Sequence, residues 1–174
     1  MKKILTAAVL FAGILSFGIA EALPTKLIIR AKSKDAKFVG TSMGGARIVV
    51  KDSETGNVLA EGLTAGGTGN TQKIMVAPHV RFGRLTDSST AKFETVIEID
   101  EPRLVTIDVE APYGFKPDTI KSSTQVWLIP GKHMTGDGVI VEVPGFSIHT
   151  QTAKEVKLAG SKADIPIQAR IVMI

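Results

Sequence analysis

Apolar and polar residues alternate along most of this chain with the two-residue period of a β-strand. Phe93, Thr95, Ile97 and Ile99 alternate with Glu94, Val96, Glu98 and Asp100, which assigns the first set to a buried face. After Glu101 and Pro102 the pattern restarts, with Val105, Ile107 and Val109 inward and Thr106, Asp108 and Glu110 outward. Residues 27–32 and 47–51 read as earlier strands. Residues 126–129 and 139–143 read as short apolar strands, each ended by a proline. The last segment sets Ile165, Ile167, Ala169, Ile171 and Met173 on one face and Gln168 and Arg170 on the other.

Turn-forming residues separate these runs: Glu54 to Asn57, Pro112 to Gly114, Pro130-Gly131, Gly136 to Gly138, Pro144-Gly145 and Ala159 to Ser161. No stretch of ten or more residues carries a 3.6-residue apolar repeat. Many short strands broken by Gly and Pro predict an all-β fold. The expected form is an antiparallel β-sandwich with an immunoglobulin-like or transthyretin-like Greek key and almost no helix in the mature chain. The least patterned region, His79 to Ala91, is either a long connection or a subdivision near residues 80–91. A single domain over 23–174 is the expectation, because neither half buries a good core alone.

The N-terminus departs from this pattern. Met1-Lys2-Lys3 precedes an uncharged run from Ile4 to Ala20, and Ala20-Glu21-Ala22 supplies small residues at cleavage-site spacing. This predicts a signal peptide over 1–22, export to the periplasm or beyond, and a mature chain starting at Leu23. Later apolar runs are too short to span a bilayer, so no membrane span follows cleavage. Losing Lys2, Lys3 and Glu21 lowers the formal charge of +4 by one. The remaining lysines are scattered and aromatic residues make up 5% of the chain, which argues against nucleic-acid binding. With no cysteine, thiol catalysis and thiolate metal sites are closed.

Several short motifs carry candidate chemistry. Gly40-Thr41-Ser42-Met43-Gly44 matches the G-x-S-x-G nucleophile elbow, which makes Ser42 the candidate catalytic serine. An elbow needs a helix after the serine and several strands before it. Here an alternating β-branched segment follows, and only about 20 mature residues precede it. The expectation is a loop. Gly66 to Thr71 is also glycine-rich, but Thr68 stands where a phosphate-binding loop requires lysine. His133, Met134 and Asp137 place imidazole, thioether and carboxylate within one loop, a candidate metal site with a plain turn as the simpler reading. Asp52, Glu54 and Glu61 read as the solvated face of a hairpin, and Trp127, the sole tryptophan, as core. No cofactor is expected.

Residues 45–64 resemble one known pattern. Ala46, Ile48, Val50, Asp52, Thr55, Gly56, Leu59, Ala60, Gly62 and Thr64 match an alternating strand, an Asp-x-x-Thr-Gly turn and a returning strand. This is similar to the carboxypeptidase regulatory-like, transthyretin-like β-sandwich superfamily. The resemblance implies a non-catalytic module of secreted and envelope proteins. The expected function is therefore an exported accessory module with a protein or surface-polymer partner. The alternatives are a periplasmic metal-binding protein using the His133 loop and a small serine hydrolase using Ser42.

Overall fold

The computed structural model describes residues 21–174; the expected signal peptide lies outside them, apart from Glu21 and Ala22. Nine strands account for about half of the described chain. They are β1 (Leu23–Ser33), β2 (Arg47–Asp52), β3 (Val58–Leu63), β4 (Phe93–Ile99), β5 (Arg103–Ala111), β6 (Ile120–Leu128), β7 (Met134–Val143), β8 (Phe146–Thr152) and β9 (Ile167–Met173). Helical geometry is confined to single turns at Thr41–Met43, Gln72–Val76 and Lys116–Asp118. The all-β expectation holds.

Two sheets face one another. One has the order β4-β1-β7, with β1 antiparallel to β4 and parallel to β7. The other is antiparallel throughout, in the order β3-β2-β5-β6. The inward rows close into one core of Leu27, Ile29 and Ala31 from β1, Ile48 and Val50 from β2, Val105, Ile107 and Val109 from β5, and Val141 and Val143 from β7. Val105, Ile107 and Val109 are the side chains that the two-residue period assigns inward. A β8–β9 hairpin forms a third, two-stranded sheet.

Three elements differ from the sequence expectation. Strand β6 begins at Ile120, because a polar Ser-Ser-Thr-Gln run pairs along the whole of β5. Strand β7 begins at Met134, so Gly136 to Gly138 is an irregular strand rather than a turn. The β1–β7 register shifts between Leu27 and Ile29, and Gly138 crosses there with φ +67. A Cβ on Gly138 would lie 2.2 Å from the Ile28 carbonyl oxygen, so only glycine permits this crossing. Strand β8 carries no alternation long enough to be read in advance. Its outward row, Phe146 and Ile148, pairs with Met173 and Ile171, and all four are more than half exposed.

Strand β1 is buried on both faces. Its inner row is aliphatic, whereas its outer row holds Arg30, which is 3% exposed. The Arg30 guanidinium donates to the carbonyl oxygens of Thr90 and Ala91 (3.0 Å to the latter) and to those of Asp137 (3.2 Å) and Gly136 (3.3 Å). One side chain thus ties the long 64–92 connection and strand β7 to the central strand. Burial pushes the Arg30 pKa below its ordinary value, and the carboxylates of Asp137, Asp87 and Glu94 oppose that push.

The connection is locked by two further carboxylates. Asp137 accepts from Leu85 N–H (2.8 Å), Thr86 N–H (3.0 Å) and Thr86 Oγ1–H (2.6 Å). Burial raises its pKa, but these bonds and the Arg30 charge outweigh burial and leave it below 3.8. Asp87 accepts from the hydroxyls and N–H groups of Ser89 and Thr90, the hydroxyl bonds contributing most, and its carboxyl sits at about 2.

Two outcomes are expected. Arg30→Met strands several buried carbonyl groups, so stability falls by about 3 kcal/mol. The midpoint then drops by about 10 °C in a thermal melt followed by circular dichroism. In acid, Asp87 and Asp137 titrate lower in the folded than in the unfolded chain. Their contribution is therefore present above about pH 4 and is lost as pH falls toward about 2. Urea unfolding across this window should show the loss, and Asp87→Asn should flatten part of it.

Candidate functional site

The glycine stretch around Ser42 has a packing explanation. Ser42 lies exposed in the single turn Thr41–Met43, and strand β2, not a helix, follows. Gly44 has φ +76, and a Cβ there would lie 2.3 Å from the Cα of Gly114. The glycines let this loop pass the Tyr113–Gly114 turn, with Tyr113 N–H donating to the Gly45 carbonyl at 2.8 Å. No imidazole bonds to Ser42. The His79 ring contacts the Ile74 carbonyl, His133 accepts from Lys26 N–H, and His149 contacts Ser147 and Asp118. Ser42 borders a shallow, mainly apolar cavity of about 440 Å³ lined by Phe38, Met43, Met75 and Met173.

The His133 group is likewise spent on structure. His133 Nδ1 accepts the Lys26 N–H at 3.1 Å, Met134 packs against the core, and the Asp137 carboxylate holds residues 85–86. Among the described residues no group of three or more His, Cys, Asp or Glu side chains is placed to hold a metal.

A cluster that sequence spacing does not suggest forms where the β8–β9 hairpin meets the Lys116–Asp118 turn. Asp118, 7% exposed, accepts from Arg170 Nη2 at 3.0 and 3.1 Å and meets His149 Nε2. Ser147 Oγ lies 3.0 Å from the same His149 nitrogen. The residue types are those of a catalytic triad, but the geometry is not. A relay needs the base to face the serine with one ring nitrogen and the acid with the other. Here Nε2 meets both partners, so the cluster serves as a polar latch for the hairpin.

The remaining candidate is the outer face of the β3-β2-β5-β6 sheet. Its side chains form rows across the strands, set by register: Arg47, Glu110 and Lys121; Val49, Asp108 and Ser123; Lys51, Thr106 and Gln125; then Ser53, Leu104 and Trp127. Trp127 is 60% exposed, which corrects its expected place in the core. Strand β6 alternates, and Leu128 at 0% exposure takes the inward position instead. Beside Trp127 a cleft of about 490 Å³ is bordered by Pro102, Arg103, Leu104, Glu54 and Thr55. A second groove of about 440 Å³ runs along the charged rows.

The charges on this face neutralise one another. Lys51 Nζ donates to Asp108 at 2.8 Å and Lys121 Nζ reaches Glu110 at 2.9 Å, while Arg47 pairs with Glu61 at 2.8 Å and Glu110 at 3.6 Å. The Lys51 and Lys121 bonds hold the Asp108 and Glu110 carboxyls below their ordinary values, and the Glu61 bond raises Arg47. Between the charges and Trp127 lies an uncharged hydroxyl-amide cluster. Ser53 and Thr106 hydroxyls are 2.7 Å apart, and Gln125 Nε2 donates to Thr106 at 3.1 Å.

Asp52 also departs from expectation. It is 3% exposed and accepts from Glu54 N–H, Thr55 N–H (both 2.9 Å) and Arg103 Nη1 (2.9 Å). The Thr55 backbone bond is the largest cause of its lowered pKa, opposed by burial. This carboxylate builds the β2–β3 turn rather than a solvated face. Comparison with protein-family models, characterised proteins and solved structures yields no match.

The latch makes its own prediction. Asp118→Asn weakens the bonds to Arg170 and His149, so amides of β8 and β9 should exchange with solvent about 5–30 times faster. Amides of β1 and β5 should keep their protection when followed by hydrogen-exchange NMR.

Proposed function

We propose that this chain is an exported, non-catalytic β-sandwich module of the cell envelope that binds a protein or surface polymer. The observation that carries this reading is the exposed Trp127 on a sheet face whose strands are held rigidly by their inward rows. Recognition groups displayed on a rigid scaffold need no moving parts, and an exposed indole offers a large contact area with a polar N–H at its edge. Supporting it, the side chains with reactive potential are engaged elsewhere: the histidines in bonds to backbone or neighbours, and Asp118 and Asp137 in holding loops. Export rests on the basic start, apolar run and Ala-x-Ala site of residues 1–22. Strand β1 begins at Leu23, so cleavage there leaves every described strand intact.

The test is made on the protein in its native host. The chain recovered from the envelope or periplasmic fraction is expected to begin at Leu23 and to co-sediment saturably with isolated envelopes. A serine-reactive fluorophosphonate is expected to leave it unlabelled. A chain retaining Met1 in the cytoplasm, no saturable sedimentation, or labelling abolished by Ser42→Ala would each overturn the corresponding part.

A further inference from the structure

We infer that the outer face of the β3-β2-β5-β6 sheet binds a neutral polysaccharide chain, with Trp127 as its stacking platform. The inference rests on the binding-module reading and names the ligand class. A sugar ring presents an apolar C–H face and a rim of hydroxyls that both donate and accept. Its receptor therefore needs an exposed aromatic plane beside uncharged polar groups held in fixed positions. This face supplies both. Trp127 is 60% exposed with Leu104 directly across the strand pair, and the next row along the same strands holds Gln125 and Thr106 beside Ser53. Hydroxyls and amides keep acceptor or donor capacity after such mutual bonds, so they can turn toward a ligand without leaving a charge unpaired.

Charge decides against the other polymers. Arg47, Lys51 and Lys121 are matched on this face by Glu61, Asp108 and Glu110, and each cation is bonded to a carboxylate. A polyanion such as nucleic acid gains affinity by releasing counterions to unpaired cations, and the paired cations here offer little such gain. A protein interface has an apolar centre depleted of charge, whereas here the centre of the face is the hydroxyl-amide cluster and paired charges fill the Lys121 end. The dimensions suit a linear chain. From Lys121 to Trp127 the strand runs about 20 Å, and β3 to β6 spans about 15 Å, room for a short run of sugar rings along the strand. The 440 Å³ groove follows the charged rows, and the 490 Å³ cleft at the Trp127 end is closed by Leu104 and Trp127 with the turn residues Glu54, Thr55, Glu101 and Pro102.

The sole tryptophan makes a direct reporter. The mature protein is titrated with soluble neutral glucans, including dextran, malto-oligosaccharides and cello-oligosaccharides, and with chito-oligosaccharides, while Trp127 emission is followed. At least one neutral series is expected to give a saturable blue shift whose midpoint is unchanged between about 0.05 and 0.5 M salt. By calorimetry, Trp127→Ala should weaken that binding at least about tenfold and Gln125→Ala about threefold, with Trp127→Phe between wild type and Trp127→Ala. Both positions are exposed, so circular dichroism and melting temperature should not move. The proposal is overturned if no neutral series shifts the emission. It is equally overturned if alginate or heparin binds with steep salt dependence instead, or if Trp127→Ala binds as wild type. Envelope sedimentation that persists without any glycan response would remove this inference and leave the binding-module reading standing. Loss of both would remove both.

Discussion

The structure depends on one buried cation. Strand β1 is central in its sheet, and a strand covered on both faces must satisfy whatever its outer row carries. That row carries Arg30, whose planar guanidinium suits a cluster of carbonyl oxygens better than any other side chain. The carbonyls of Thr90, Ala91, Gly136 and Asp137 reach it from two distant segments. The 64–92 connection, which lacks a strand pattern through most of its length, thus acquires a fixed course. Asp137 adds to this by holding Leu85 and Thr86 while its own backbone carbonyl accepts from Arg30. Strand pairing, loop path and charge balance are therefore one problem with one solution.

Packing also accounts for several residues in the motifs that look chemical. The glycines around Ser42 permit close passage of a second turn, and the glycines around Asp137 permit the irregular crossing of β1 and β7. His133 is consumed at the start of β7 and His149 at the hairpin latch. Two outward surfaces display ordered rows of side chains. One is the apolar row of the β8–β9 hairpin, with Phe146, Ile148, Ile171 and Met173 exposed. The other is the ordered polar face that ends at Trp127, where charges are paired and uncharged groups stand beside an aromatic ring.

Much of the fold was legible in the chain because alternation is a local property. Val105, Ile107 and Val109 were assigned inward from period alone, and they are fully buried. The β2–β3 hairpin followed from Thr55-Gly56 between two short strands. The candidate face was not legible. Trp127 sits between Val126 and Leu128, so local composition suggested a buried run, yet a strand must send neighbours to opposite faces. Pairing of Leu104 with Trp127 decided which neighbour met water. Asp52 is hidden from sequence for a related reason: a carboxylate in a turn looks solvated until Arg103, 51 residues away, closes over it.

By itself, the sequence determined the all-β class, the inward aliphatic rows and most of the turns, because these depend on contacts a few residues apart. The proposed export likewise rests on local features alone, the basic start, apolar run and small residues of 1–22. Only the tertiary structure decided that β1 runs parallel to β7 beside its antiparallel neighbour, that Arg30 joins three segments, and that Gly136 to Gly138 continue a strand. It also placed Trp127, Gln125, Thr106 and Ser53 side by side. Those outcomes depend on which distant strands pair and in what register, and a one-residue change of register would turn every side chain to the opposite face.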